Sequence, residues 1–466
     1  MYEVIKTCFF CYSEEICTFA YLLKSRLLFT ILSMKKTILF VSFCLVTLIV
    51  SAAKIHSSSG ISKTDLAGID YVFIFNGINS STTITYDSTA TNVKWYEFNN
   101  PIPIYSGVDT FDQLENGKGY YLEEENGHKI TFWVIDYQKY LANSSKLLID
   151  DIQTSACKNV SLSINPKVPE LYYKTLGGDS INIPRDFEIT YKTLKWDGTT
   201  WQDSTASVPV NLPINSPIIV PAPLCDTYFT LTGDHYAEDL GFKPDSITSL
   251  SYSAVAVECH LTSKVGIRTA LNENERPKNT TDIGGSAPLE MTFSSNANLP
   301  VTQFYNWEIF KDGATSPYIT HNDENINNTF SGHGTYKVKI TVSNNYCSNA
   351  DSITVTVSES YIKAPNVFTP NGDGTNDEFR VAYKSIISFE AWVFNRWGRQ
   401  VYHWTDPQKG WDGNINGRKA TPGAYFYIIK ALGSDFDPAS APIGKTKLRL
   451  GEYLLKGDIN LLRGTN

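Results

Sequence analysis

Residues 120 to 135 read Tyr120-Tyr-Leu-Glu-Glu-Glu-Asn-Gly-His-Lys-Ile-Thr-Phe-Trp-Val-Ile135, two apolar runs divided by a polar tip. Asn126-Gly127 lies at that tip, and a tight type I′ hairpin turn needs positive φ at both central positions, which Asn and Gly adopt most readily. The stretch is therefore predicted to be a β-hairpin, and the chain around it follows suit. Tyr71-Val-Phe-Ile-Phe75 is a buried-strand run, and Val93-Lys-Trp-Tyr-Glu-Phe98 alternates around Trp95. Beyond residue 53, short apolar or alternating runs are separated by Asn, Gly, Asp and Pro clusters, with almost no sustained helical periodicity. Asp234 to Leu240 is the best candidate for one short helical turn. The expected class is all-β, with tandem immunoglobulin-like β-sandwich domains and a further β-sandwich at the C-terminus.

The length of 466 residues suits about three domains, or about four if each is a sandwich of roughly 100 residues. Aromatic residues make up 13% of the chain and charged residues 19%, against about 25% in an average domain, which favours globular β structure over a disordered or coiled-coil chain. The expected divisions are 54–150, 151–258, 259–360 and 361–466. In the second, Phe187-Glu-Ile-Thr-Tyr191, Leu194 to Trp196 and Thr200-Trp201 surround Asp197-Gly198, followed by expected strands at Cys225 to Leu231 and Tyr252 to Cys259. Prolines between Pro209 and Pro223 are expected at edges and connections. A net charge of -8 gives no electrostatic support to a phosphate-binding surface, so nucleic acid is excluded as a partner.

Residues Met34 to Ala53 have two lysines, an apolar run from Ile38 to Val50, and small residues Ser51 and Ala53. This is the pattern of a secretory signal peptide, too short to span a bilayer comfortably. Residues 1 to 53 are read as an upstream extension plus leader with the true start at Met34, leaving no permanent transmembrane span after cleavage. The competing reading of Cys8-x-x-Cys11 as half a zinc site lacks a second ligand pair. Without the leader the chain keeps 35 basic and 45 acidic residues and four cysteines, Cys157, Cys225, Cys259 and Cys347. An even count in an oxidising compartment suggests disulfides; three pairings are open, as are separate buried thiols. Cys157 with Cys225 and Cys259 with Cys347 is favoured, since domains follow one another along the chain.

Two resemblances sharpen this outline. Phe304-Tyr-Asn-Trp-Glu-Ile-Phe310, Gly334-Thr-Tyr-Lys-Val-Lys-Ile-Thr-Val342 and Ser352-Ile-Thr-Val-Thr-Val357 resemble a PKD domain, a small immunoglobulin-like module of secreted and surface proteins. The sequence departs from that family after Trp307, where a W-x-F-G-D-G turn is replaced by Glu-Ile-Phe-Lys-Asp-Gly. Ala364-Pro-Asn-Val-Phe-Thr-Pro-Asn-Gly-Asp-Gly-Thr-Asn-Asp-Glu-Phe379, Val393-Phe-Asn-Arg-Trp-Gly-Arg-Gln-Val-Tyr402, Gly410-Trp-Asp-Gly413, Thr421-Pro-Gly-Ala-Tyr-Phe-Tyr427 and the closing Lys456-Gly-Asp-Ile-Asn-Leu-Leu-Arg463 resemble the gliding motility-associated C-terminal domain, the type B sorting domain of type IX secretion. This resemblance implies that residues 361–466 form a β-sandwich sorting domain whose partner is the type IX secretion machinery, with delivery to the medium or the cell surface. Ser434 to Tyr453 departs from the pattern and reads as an insertion. Tyr425 to Ile429 carries aromatics on both faces and is expected to be a central, buried strand. The basic residues after Ala441 (Lys445, Lys447, Arg449, Lys456 and Arg463) fit either a docking surface or a lysine-protected edge strand.

Candidate sites are few. Asn371, Asp373, Asn376 and Asp377 offer oxygen donors of the kind calcium prefers, in a loop with two glycines, although the spacing is not that of an EF-hand. The same loop reads equally as a turn whose side chains cap backbone groups. Glu123, Glu124 and Glu125 invite a paired-carboxylate reading but sit at a hairpin tip, where charge is ordinarily solvated. No histidine falls in an H-E-x-x-H pattern, and no nucleophile elbow or phosphate loop is present. Trp95, Trp133, Trp196 and Trp201 read first as core residues, with Trp201 the best candidate for ligand stacking. The expected function is that of an exported, non-enzymatic surface protein that binds an extracellular glycan or protein ligand through residues 54 to 260. A carbohydrate-binding accessory protein and a secreted hydrolase are the alternatives.

Overall fold

The structure is a computed structural model that describes residues 55–87, 92–151, 156–212, 217–241, 243–444 and 448–463. The leader, Cys8, Cys11, Lys445 and Lys447 lie outside the described residues. The chain is nearly all β, as the alternation requires, and divides into two compact units: residues 1–139 with 172–183, and residues 140–171 with 184–466. The short helix expected near Asp234 is His235–Asp239.

In the first unit a six-stranded sheet runs in the order Ile61–Lys63, Tyr71–Phe75, Lys129–Asp136, Lys118–Glu123, Lys94–Glu97 and Tyr105–Ser106, with Tyr71–Phe75 parallel to Lys129–Asp136. Beside it is a three-stranded sheet of Ile55–Ser57, Ile84–Tyr86 and Thr110–Phe111. The core is aromatic: the Trp95 indole stacks on Phe111 at 5.3 Å and meets Phe132 edge-on at 6.0 Å. The expected alternation around Trp95 does not hold, because both Trp95 and Tyr96 are buried. On the opposite face Tyr96 stacks on Tyr121 at 4.8 Å, and Trp133 lies against Phe98 and Tyr172 of a later hairpin. Gly119 faces Trp133 in register, and a Cβ there would strike the Phe98 ring.

The hairpin at Asn126-Gly127 forms, but not with the expected turn. Only Gly127 has positive φ; Glu124 O accepts the Gly127 N–H and the Glu124 N–H donates to His128 O, the three-residue loop of a type I turn followed by a glycine bulge. The Asn126 side chain accounts for the difference, accepting the His128 N–H at 2.7 Å. At Asn416-Gly417 both residues have positive φ, and Ile415 pairs with Arg418 across the tight two-residue turn the dipeptide favours.

The second unit begins with two facing sheets. One holds Lys146–Asp151, Asn159–Asn165 and Ile218–Pro221; the other runs Trp201–Leu212, Arg185–Trp196, Thr230–Gly233 and Asp245–Thr248. Arg185–Trp196 and Trp201–Leu212 form one long hairpin ending with Trp196 opposite Trp201, and Pro209 lies on its edge strand. Next come Thr262–Val265, Leu289–Ser294 and Asn325–Phe330 in one sheet, and Gly284–Gly285, Ser348–Val357, Gly334–Ser343, Phe304–Lys311 and Ile319–His321 in another. Trp307 is fully buried, its indole N–H donating to Asp323 O at 2.9 Å. These two sandwiches share one continuous hydrophobic cluster. The last sheet runs Val367–Phe368, Glu452–Leu461, Gly423–Gly433, Ile386–Phe394 and Gln400–Trp404 over a core of its own. Gly423–Gly433 is central as expected, but it is not buried on both faces, since Phe426 is 47% exposed. Despite the departure at Ser434 to Tyr453, Glu452–Leu461 pairs with Gly423–Gly433 over its whole length.

Candidate functional site

The chain between the first two sandwiches of the second unit, Tyr252 to Cys259, was expected to be a strand. Tyr252, Val255 to Val257 and Cys259 are buried, yet among the described residues the stretch forms only an isolated bridge from Tyr252 to Thr227. Buried backbone groups must still be paired, and asparagine side chains supply the partners. Asn298 Nδ2 donates to Leu224 O at 2.9 Å and Ala256 O at 3.0 Å, while its Oδ1 accepts the Glu258 N–H at 2.8 Å. Asn344 Nδ2 donates to Val255 O at 2.9 Å and Val301 O at 3.2 Å.

A disulfide closes the same junction. Cys157 is bonded to Cys347 with Cα atoms 5.5 Å apart, whereas Cys225 and Cys259 are free thiols. The expected pairs Cys157 with Cys225 and Cys259 with Cys347 are therefore wrong. Nearest-neighbour pairing assumes that each domain closes on itself; here the Asn344 to Cys347 turn of the second sandwich meets the start of the first. Burial pushes the Cys259 thiol up to about 12, so it stays protonated and unreactive at neutral pH.

Trp201, the expected stacking residue, belongs to this junction. Its indole N–H donates to Asn296 O at 3.0 Å, and its ring packs against Trp196 at 5.5 Å and His260 at 5.3 Å. His260 stacks flat on Trp196 at 5.0 Å and is hydrogen-bonded to Glu258 at 2.8 Å. The half-buried Trp201 indole thus holds the long hairpin against the following domain instead of standing open for a sugar.

In the loop Asn371 to Asp377 the donors turn on the backbone. Asp377 accepts the Gly372 and Gly374 N–H groups, each at 2.7 Å, Asp373 accepts that of Thr375 at 2.8 Å, and Asn371 accepts that of Asp373 at 3.1 Å. Asn376 adopts positive φ, and its carbonyl accepts the Thr369 N–H. These backbone donors hold the Asp377 carboxyl below its usual range. The geometry is that of a capped turn. Among the described residues no group of three or more His, Cys, Asp or Glu is arranged to hold a metal ion. Of the three glutamates, Glu124 accepts the Tyr86 hydroxyl at 2.8 Å and Glu123 lies 4.0 Å from Lys129, at the side of an open depression of 520 Å³.

Trp95 donates to Val108 O at 2.9 Å and is wholly buried, and Trp133 is buried in the first unit, so both are core residues as expected. A docking segment, residues 267 to 287, gave no sequence signal. Asn272 Nδ2 donates to Val381 O and Pro407 O, both at 2.7 Å, Asn274 N–H donates to Tyr383 O at 2.7 Å, and Glu275 pairs with Lys384 at 2.9 Å. Arg268 and buried Glu273 brace the segment from within at 2.5 Å. Of the basic tail, Arg463 donates to Pro370 O and Gly413 O and is structural.

Comparison with known families accounts for the sandwiches of the second unit. Family models match a fibronectin type III domain over residues 151–249, a PKD domain over 280–357 and a CHU_C type IX secretion signal domain over 362–440. The chain thus carries a PKD domain followed by a type IX secretion signal domain, in the order the sequence motifs imply. That signal points to secretion through the type IX machinery. No curated protein matches. Similar solved structures include the tetra-tandem repeat in the extending region of a large adhesion protein, at 11% identity over 84% of this chain and 98% of that one, with a TM-score of 0.19. Immunoglobulin domains 1–5 of Sidekick-1 align at 10% identity over 88% of this chain and 81% of that one, with a TM-score of 0.23. Nothing about function is drawn from either. Among the described residues no helix is long and apolar enough to cross a membrane.

Proposed function

We propose that the protein is a non-enzymatic binding or adhesion protein of the cell surface, carried there by its C-terminal signal domain and engaging an extracellular ligand through residues 54 to 260. The observation that carries the reading is the ordered pair of PKD and type IX signal domains at the end of the chain. A family match elsewhere in the chain adds a fibronectin type III module over residues 151–249. The divisions 259–360 and 361–466 are retained as part of this proposal; the boundary expected at 150 falls earlier, since Lys146–Asp151 pairs with Asn159–Asn165 of the second unit. The disulfide and the asparagine ladder tie the fibronectin module to the PKD module, which suits a binding region carried on a PKD spacer.

The test is to express the full chain and a chain ending at residue 360 in a host with the type IX machinery, then fractionate cells and medium. The full chain is expected at the surface or in the medium, and the shortened one in the periplasm. Equal delivery of both would sink the export reading. Cleavage of a glycan or peptide by purified full-length protein would sink the non-enzymatic one.

A further inference from the structure

The signal domain carries a surface groove walled by residues of its 393–402 and 421–427 stretches. The turn Asn395 to Arg399 is fixed by the Asn395 side chain, which accepts the N–H groups of Trp397 and Arg399, each at 3.0 Å. It lifts Trp397 to 76% exposure, with the Arg396 guanidinium over the indole ring at 4.3 Å. Facing it is the tight hairpin that bears Arg418 and Lys419, both exposed. The depression between them measures 370 Å³, and it meets a second of 610 Å³ at Asn395 and Arg396. Lys456, Asp458 and half-exposed Phe426 line the second.

The groove lies on the basic end of an acidic chain, since residues 361–466 hold 14 Lys and Arg against 10 Asp and Glu. On a chain of net charge -8, the first depression is lined by three cations and no anion. Among the described residues the side chains of Arg418 and Lys419 have no hydrogen-bond or ion-pair partner, and the Arg396 guanidinium lies over the indole with no carboxylate paired to it. Unpaired guanidinium groups in a fixed wall are receptors for carboxylate, which they bind through two parallel hydrogen bonds. An exposed indole adds a flat apolar face for a ring. A folded protein partner of ordinary affinity would bury about 800 Å² on this side around a well-packed central anchor. The groove instead offers one ring face at its rim and cations spaced along its length.

We infer that this groove binds a carboxylated polysaccharide, a chain of uronic acid units whose ring stacks on Trp397 while its carboxylates meet Arg396, Arg418 and Lys419. Such a site would let the signal domain hold to an acidic glycan after export.

The inference is tested on the purified full chain by titration calorimetry with oligogalacturonate as the probe. Its fully methyl-esterified form and poly-glutamate are the comparisons, each at low and high salt. Binding of oligogalacturonate that weakens with salt, is absent for the ester, and falls at least about tenfold in both W397A and R418Q/K419Q supports the site. These side chains are exposed, so both variants should melt with the wild type. No binding, binding indifferent to both variants, or poly-glutamate binding as well as the sugar overturns the proposal, the last in favour of an acidic protein partner. Export plays no part in this assay, so its outcome is separate from that of the delivery experiment.

Discussion

Replacing both partners of the Cys157–Cys347 bridge by alanine should reveal whether the fibronectin and PKD modules unfold as one body. The bridged residues are 190 apart in sequence. In the chain-entropy description of a cross-link, a loop of that length restrains the unfolded chain by about 5 kcal/mol at room temperature, an upper figure because real denatured chains retain structure. That restraint acts in full only if everything between the two cysteines unfolds together. The shared hydrophobic cluster, the asparagine ladder along Val255 to Glu258 and the Trp196, Trp201 and His260 stack all predict that it does. In guanidinium titrations followed by tryptophan fluorescence, C157A/C347A is therefore expected to lose about 3 to 5 kcal/mol in one transition. Tryptic mapping of unreduced wild-type protein should recover a single cross-linked peptide pair holding Cys157 and Cys347. A loss below about 1 kcal/mol, or separate unfolding of the fibronectin and PKD modules resolved by hydrogen exchange in the wild type, would refute the single-body argument. A peptide joining Cys157 to Cys225 would refute the bridge itself.

Three further outcomes follow from buried and capped charges. Arg185 and Asp234 form a fully buried ion pair at 2.6 Å, and Arg185 also donates to Tyr140 O and Pro169 O, so R185M should cost about 3 to 5 kcal/mol by chemical denaturation. D234N, which keeps a hydrogen-bonding oxygen, should cost less; the reverse order would count against the pairing. Because backbone N–H groups already occupy the Asp377 oxygens, chelation of calcium should leave the melting temperature unchanged, and a clear rise on adding calcium would restore a metal role to the loop. The carboxyls of Asp197, Asp282 and Asp377 are all held below their usual range by backbone N–H donors. Their contribution is complete above the unfolded value near about 4 and is lost as pH falls through the lower folded values. Melting temperature should thus drop more steeply in acid for wild type than for D377N, and parallel curves would show that the Asp377 contacts do not stabilise the turn.

Strand positions were legible wherever the deciding forces are local. Tyr71–Phe75 has the bounds its residues suggest, and the hairpins at Asn126-Gly127 and Asp197-Gly198 both form. Turn type was less secure, since one side-chain hydrogen bond from Asn126 was enough to change it. Where alternation misled, a second layer was responsible. Tyr96 and Trp133 sit on the face away from the main aromatic core, and Trp133 meets Tyr172, a residue that the strand patterns of 71 to 135 cannot anticipate.

Long-range partners leave weaker traces. An asparagine that replaces a missing ladder looks in sequence like any loop asparagine, so Asn298, Asn344 and Asn272 gave no warning of the junctions they hold. The same blindness produced the wrong cysteine pairing: Cys347 reaches Cys157 only because the PKD turn folds against the preceding module. The groove on the signal domain was half visible. Trp397-Gly398 and Asn416-Gly417 are turn dipeptides, but their juxtaposition follows from the sheet order, in which Ile386–Phe394 pairs with Gly423–Gly433 from Phe394 opposite Phe426. Register thus places an exposed indole beside two unpaired cations, a combination that costs solubility and adds nothing to the core. A carboxylated ligand that covers the indole and pairs with the cations would account for leaving them side by side at the surface.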